Sequence, residues 1–262
     1  MAEAVSELGE RLAAIVLTQE QQGILNKAES LPLVCLVGPP GTGKSLMLEL
    51  VGRIWLGMGQ DILILSTRLE SFAVSLLIEH RLKAVIGGGA GQTGERTDRV
   101  ELHHFDFRHN AEDAEREAYK VLMAAATAKG GTLHMLMDEV WFTSKDAGPC
   151  LKRLVTDLSR KVKLHLWAGT MRNKDIPECL EVVPLTVPLR CAPIIQKEVG
   201  QGIDPRIPRY TSNGIPAPSD GPDIITLVHQ GEDHASQWPL QCSKCGEEVA
   251  RVLKDKLKVG VK

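Results

Sequence analysis

The sequence predicts a three-layer α/β fold, a parallel sheet with helices on both faces. Short apolar runs alternate along the chain with longer stretches of helical periodicity, and that order builds parallel sheets. No internal repeat interrupts the alternation, which argues against a solenoid or an array. With 262 residues, 43% hydrophobic and 24% charged, the chain is long enough for one large domain, or one domain and part of another.

Each element follows from a local pattern. Strands are expected at Leu31–Val37, Asp61–Ser66, Val100–Phe107, Thr132–Met137, Val162–Ala168 and Val182–Leu189. Helices are expected at Ser45–Leu56, Leu69–Val85, Glu112–Ala128 and about Asp146–Arg160. The first of these is apolar on most sides, as a helix packed deep on a sheet should be. The glycine-rich stretch Gly87–Gly94 has no strand before it and no helix after it, so it reads as a flexible insertion rather than a phosphate cradle. Gly200–Pro222 holds nine Gly or Pro and reads as a linker. A last strand, Asp223–His229, and a last helix, near Cys245–Leu257, follow it. A single strand–helix unit is too small to bury a core alone. The expected organisation is therefore a domain at residues 1–200, a linker at 201–221 and an incomplete second α/β unit at 222–262.

Charge and composition exclude several classes. With 31 Lys+Arg against 33 Asp+Glu, the chain is no polybasic nucleic-acid coat, though a local basic groove is allowed. No apolar run approaches the roughly 20 residues a membrane helix needs, and the acidic start Met1-Ala2-Glu3-Ala4 does not resemble a signal peptide. Six scattered cysteines suit a reducing compartment, so an intracellular location, cytoplasmic or nuclear, is expected, with no membrane partner.

The strongest chemical signal is Gly38-Pro39-Pro40-Gly41-Thr42-Gly43-Lys44-Ser45, which matches G-x-x-x-x-G-K-[ST] between an apolar strand and an apolar helix. Its glycines let backbone N–H groups turn inward around a phosphate, aided by the positive end of the helix. Lys44 then reaches the β- and γ-phosphates, and the Ser45 hydroxyl ligates Mg²⁺. Asp138 and Glu139 supply the two carboxylates this chemistry requires, at the carboxyl end of the apolar run Leu133–Met137. Asp138 is expected to hold the metal's hydration shell and Glu139 to orient the attacking water as general base. Upstream, Thr18 with Gln21 three residues later forms a capping box that starts a helix.

The chain resembles superfamily 1 helicases of the RNA-decay and UvrD-like type over most of its length. Leu17–Gln21 is similar to their adenine-recognition motif, Gly38–Ser45 to motif I, and Ile62–Arg68 to motif Ia, whose end contacts the nucleic-acid backbone in that family. Asp138-Glu139 resembles motif II, Trp167–Thr170 sits where motif III falls, and Leu189–Ile195 is similar to motif IV. The resemblance implies ATP and Mg²⁺ as cofactors, Gln21 as the base contact and Arg190 as the arginine that senses the γ-phosphate. It also implies single-stranded RNA or DNA as partner. Val140 and Trp141 stand where the family usually carries Gln after the acidic pair, and Thr170-Met171-Arg172 departs from the motif III pattern. Motifs V and VI have no counterpart before Lys262, so the chain reads as a first motor domain and the opening of a second, truncated there. Another protein supplying the missing half is then an expected partner, and unwinding by this chain alone is not expected.

Two rival readings compete with a helicase-like ATPase. An AAA+ ATPase shares the phosphate loop, and Ala168–Asp175 loosely resembles its sensor strand end. Its acidic pair usually lies nearer than 94 residues beyond the lysine (44 to 138), and it carries a helical lid where this chain shows a strand. A nucleotide-binding adaptor with negligible turnover shares the same loop. His229, His234, Cys242 and Cys245 are suitable Zn²⁺ ligands, but they close one strand and open one helix, which favours an accidental grouping. Adjacent His103 and His104 point to opposite faces of a strand and so do not share a site. Lys152, Arg153, Lys161 and Lys163 offer at most a modest basic face.

Overall fold

A computed structural model describes residues 17–28, 30–87, 97–188, 197, 205–211 and 242–255. Its contacts divide into two compact units, Met1–Gly221 and Pro222–Lys262. The first contains α1 (Gln19–Leu25), β1 (Leu33–Val37), α2 (Lys44–Gly57), β2 (Ile62–Ser66), α3 (Leu69–Gly87) and β3 (Val100–His104). It continues through α4 (Ala111–Ala128), β4 (Thr132–Met137), α5 (Ala147–Lys161), β5 (Lys163–Thr170) and β6 (Glu181–Pro184). In the second unit the described element is α6 (Ser243–Asp255). The expected strand Asp223–His229, the Gly87–Gly94 insertion beyond Gly87, and Arg190 lie outside the described residues.

Among the described residues all five strand pairings are parallel, in the order β3-β2-β4-β5-β1-β6. That order explains the layers. From β1 to β3 the chain moves across the sheet in one direction, and from β3 to β5 it moves back. Right-handed crossovers then force α2 and α3 onto one face and α4 and α5 onto the other. Side chains alternate to match. Val34, Leu36, Ile62, Ile64, Leu136 and Trp167 pack under α2 and α3. Cys35, Val37, Leu63, Leu65, Met135, Leu166 and Ala168 pack under α4 and α5. In α4 the buried positions Ala114, Ala118, Leu122 and Ala126 recur every fourth residue, and small side chains bring the helix close to the sheet. Across α2 and α3, buried Glu49 accepts from Arg53 at 2.6 Å and from Arg81 at 3.0 Å, so its charge is paired where it is dry.

Two strands end earlier than their apolar runs suggest. β3 stops at His104 because Asp106 turns the chain, its carboxylate accepting the Arg108 backbone N–H at 3.0 Å. β6 covers Glu181–Pro184 at the sheet edge, where Pro184 is tolerated because Leu185 beyond it still donates its N–H to the Val37 carbonyl at 2.7 Å. The two adjacent histidines of β3 do face opposite ways. His103 pairs with Glu101 on its own face, whereas His104 meets Ser66 and Phe72.

His134 and His165 sit side by side in register on β4 and β5 and stack at 4.4 Å beneath Trp55. Burial, then the neighbouring His165 and lysines, hold His134 down to about 4, and burial lowers His165 too. Both are therefore neutral in the fold, while an unfolded chain protonates them near pH 6.5. Stability from this pair is complete above that value and is lost as pH falls towards 4. Urea unfolding at pH 7.5 and pH 5 should show about 2 kcal/mol less stability at the lower pH from His134 alone. His134→Phe should remove that part of the slope; an unchanged slope would mean that the pair accepts a proton without cost.

Candidate nucleotide site

The phosphate loop leaves the carboxyl end of β1 and enters α2 at Lys44. Gly41 and Gly43 take φ of 80° and 87°, a left-handed geometry that turns the loop back on itself and that side-chain-bearing residues rarely adopt. The loop is braced from within by the Thr42 hydroxyl, which donates to the Pro39 carbonyl at 2.9 Å. The Lys44 ammonium is buried and donates to the carbonyls of Gly38 at 2.8 Å and Pro39 at 3.1 Å. Burial lowers its pKa, against the pull of Glu139 and Asp138.

β5 lies between β1 and β4, so the acidic pair is one strand removed from the loop. Asp138 nevertheless reaches it: the Ser45 hydroxyl donates to Asp138 Oδ2 at 2.5 Å, across 93 residues of sequence. The other carboxylate oxygen accepts the Glu139 backbone N–H at 2.9 Å. Passage over β5 is possible because Gly169 has no side chain; a Cβ there would stand 2.6 Å from Asp138 Oδ1. Burial raises the Asp138 pKa, with Ser45, the Glu139 amide and Lys44 opposing. Glu139 follows at φ 52°, a left-handed position that costs a non-glycine residue free energy and turns its side chain out of the strand's alternation. Burial and the Asp138 charge raise its pKa, while Lys44 and Arg68 lower it.

Beyond the pair, Trp141 carries two guanidinium groups over its ring, Arg68 from the end of β2 at 3.8 Å and Arg172 from the end of β5 at 5.2 Å. Cation–π contact of this kind ties three strand ends together. Arg68 also meets Glu70 at 3.3 Å, and Glu70 accepts from Arg108 at 3.0 Å. Periodicity could not reveal this cluster, since its members are 68, 141 and 172; the unusual Trp141 after the acidic pair was its only mark in the sequence. Two of the four members of the basic face expected farther along are paired, Lys152 with Asp175 and Arg153 with Glu115.

Gln21 is 1% exposed, and its amide is engaged on both sides. Its oxygen accepts the Thr18 N–H at 3.1 Å, completing the capping box, and its nitrogen donates to the Thr42 carbonyl at 3.0 Å. The structure thus brings together Gln21, Gly38, Pro39, Pro40, Gly41, Thr42, Gly43, Lys44, Ser45, Asp138 and Glu139. One contact is new. Residues 205–211, inside the stretch read as a linker, return to the loop, where the Tyr210 hydroxyl donates to the Pro40 carbonyl at 2.7 Å. Among the described residues no cluster of three or more His, Cys, Asp or Glu could hold a metal, and His229 and His234 lie outside them. No described helix is long and apolar enough to cross a membrane.

The architecture is a three-layer α/β fold of the RecA-like kind, with the loop and the acidic pair at the carboxyl ends of β1 and β4, the two parallel strands that flank β5. No protein-family model matches the chain, and no curated protein matches it significantly. Among solved structures it is similar to the Pif1 helicase from Candida albicans, with 17% identity and a TM-score of 0.38. That likeness covers 65% of this chain and 40% of the Pif1 chain.

Proposed function

We propose that this chain binds ATP with Mg²⁺ and hydrolyses it, as a helicase-like ATPase whose first 200 residues form the motor core. The 2.5 Å contact between Ser45 and Asp138 carries the reading, because it unites the two hard oxygen ligands of a nucleotide-bound Mg²⁺ at the N-terminus of a helix. These donors fit the ion, which would neutralise charge on the β- and γ-oxygens. The chain's own groups do the rest. The loop amides and the positive end of α2 hold the β-phosphate. Lys44 exchanges the carbonyls of Gly38 and Pro39 for phosphate oxygens. Glu139, turned out of β4, takes a proton from water beside the γ-phosphate, and Arg190 offers a further positive charge to it. Gln21 acts on the nucleotide through the Thr42 carbonyl. Single-stranded RNA or DNA would run past the Ile62–Arg68 strand end, with residues 222–262 forming a second α/β unit beyond the 201–221 segment.

Purified protein supplied with MgATP should release phosphate, chelation by EDTA should stop the release, and single-stranded RNA or DNA should alter its rate. ATP binding without release above a protein-free blank would leave the nucleotide-binding adaptor as the reading. No binding at all would end both.

A further inference from the structure

Along α3 the usual division of a surface helix is partly reversed. Ser71 and Ser75 are fully buried, whereas Leu69, Leu76 and Leu77 are 61%, 42% and 46% exposed. Single leucines scattered over a surface need no explanation, but these are aligned. At 3.6 residues per turn, Leu69, Ala73, Leu76, Leu77, His80 and Ala84 share about 100° of arc on the outer side, and all are exposed. Ser71, Ser75, Ile78 and Leu82 occupy the inner side. The steps 69, 73, 76 and 80 run four, three, four, the spacing of a seam that packs along a second helix. The flanks of the seam select that helix. Glu70 and Arg81 are three turns apart, so they edge the same flank, one towards each end. Glu70 is exposed, and Arg81 engages Glu49 through one nitrogen, Nη1. The other flank carries Lys83 bonded to Glu79 at 2.7 Å, a neutral pair. When two copies of α3 pack antiparallel about a two-fold axis, like flanks face each other, and Glu70 of each copy meets Arg81 of the other. A parallel pairing would set Glu70 against Glu70 and Arg81 against Arg81, which repel.

We propose that the outer face of α3 is a homodimer interface, in which two copies of this chain pack antiparallel about a two-fold axis beside Leu76. The axis follows from the charges, since residues 70 and 81 are symmetric about the point between 75 and 76. Leu76 then lies next to its own counterpart, and His80 falls between Leu69 and Ala73 of the other copy, where the small Ala73 leaves room for the ring. Association withdraws the exposed leucines of both copies from water, which is its driving force. A helix of 19 residues is about 28 Å long, so one helix pair lies at the small end of interface sizes, and a dissociation constant of roughly micromolar is expected. The interface stands apart from the phosphate loop and does not depend on the nucleotide reading.

Sedimentation velocity of the full chain across roughly 1–100 μM should show monomer passing into dimer. Leu76→Asp should weaken association at least about tenfold, because a carboxylate from each copy would be desolvated at the axis. Its monomer should fold as the wild type does, since the side chain already faces water. Single cysteines read the orientation. Under oxidised glutathione, Leu76→Cys should form an intermolecular disulfide beyond the wild-type background. Leu69→Cys should not, because its two copies stand about 20 Å apart along the helix axes, far beyond disulfide reach. A chain that stays monomeric throughout the range would overturn the proposal, even if the face takes up another protein or a lipid vesicle. So would a dimer indifferent to Leu76→Asp, or cross-linking through Leu69→Cys in place of Leu76→Cys.

Discussion

Glu139→Gln is expected to bind MgATP as the wild type does and to hydrolyse it roughly 10²- to 10⁴-fold more slowly, the usual worth of a positioned general base. The substitution keeps the side chain's size and leaves the left-handed backbone at φ 52° as it was, so the fold has no reason to change. What disappears is the acceptor for the water proton. The carboxyl's environment makes the effect specific. Burial and neighbouring Asp138 push the Glu139 pKa up, so it is a stronger base than an exposed glutamate, while Lys44 and Arg68 oppose the shift. The acid limb of the wild-type rate should therefore fall above the ordinary carboxylate range, with activity lost as pH drops through it, and Glu139→Gln should lack that limb. Lys44→Ala is the contrast. It removes the buried ammonium that rests on the Gly38 and Pro39 carbonyls, so binding and turnover should both fail. Single-turnover phosphate release beside equilibrium ATP binding separates the two. A Glu139→Gln rate within threefold of wild type would remove Glu139 from the reaction.

What the sequence reveals of this protein is its local chemistry. The phosphate loop, the capping box at Thr18 and the acidic pair after β4 each depend on neighbours within a few residues, and each stands where its pattern predicts. Strand positions follow from apolar runs for the same reason, although β3 and β6 end before their runs do. Strand order is another matter. Nothing in the residues of β5 says that it lies between β1 and β4, so neither the reach of Asp138 to Ser45 nor the need for Gly169 can be read from spacing. The Arg68–Trp141–Arg172 cluster and the return of Tyr210 to Pro40 are long-range contacts, the latter spanning 170 residues. A Gly- and Pro-rich composition reports how easily a segment bends; where the bend delivers its one tyrosine depends on the whole fold.

Gly169→Ala should cost the site its metal affinity while leaving most of the fold in place. A Cβ at this position lies 2.6 Å from Asp138 Oδ1, 3.7 Å from its Cγ and 3.5 Å from Leu48 Cδ1. Asp138 cannot swing aside freely, because Oδ2 is held by the Ser45 hydroxyl at 2.5 Å and Oδ1 by the Glu139 N–H at 2.9 Å. One of those bonds must lengthen, or β5 must shift against β4, where Met137 and Ala168 are in register. Overpacking of this sort costs about 1–3 kcal/mol of stability. The functional cost should exceed it, because the displaced group is the proposed metal carboxylate. Turnover at low Mg²⁺ should fall roughly 10²-fold, comparable with losing a positioned electrostatic group, and be partly restored by raising Mg²⁺. ATP binding measured in EDTA should change little, since the loop and Lys44 are untouched. Gly23→Ala is the control: it sits inside α1 with nothing within 4 Å of its Cβ. Restricting the unfolded chain there should raise stability by about 0.5–1 kcal/mol and leave turnover alone. Should Gly169→Ala instead show wild-type turnover across a Mg²⁺ titration, Asp138 would not be holding the metal.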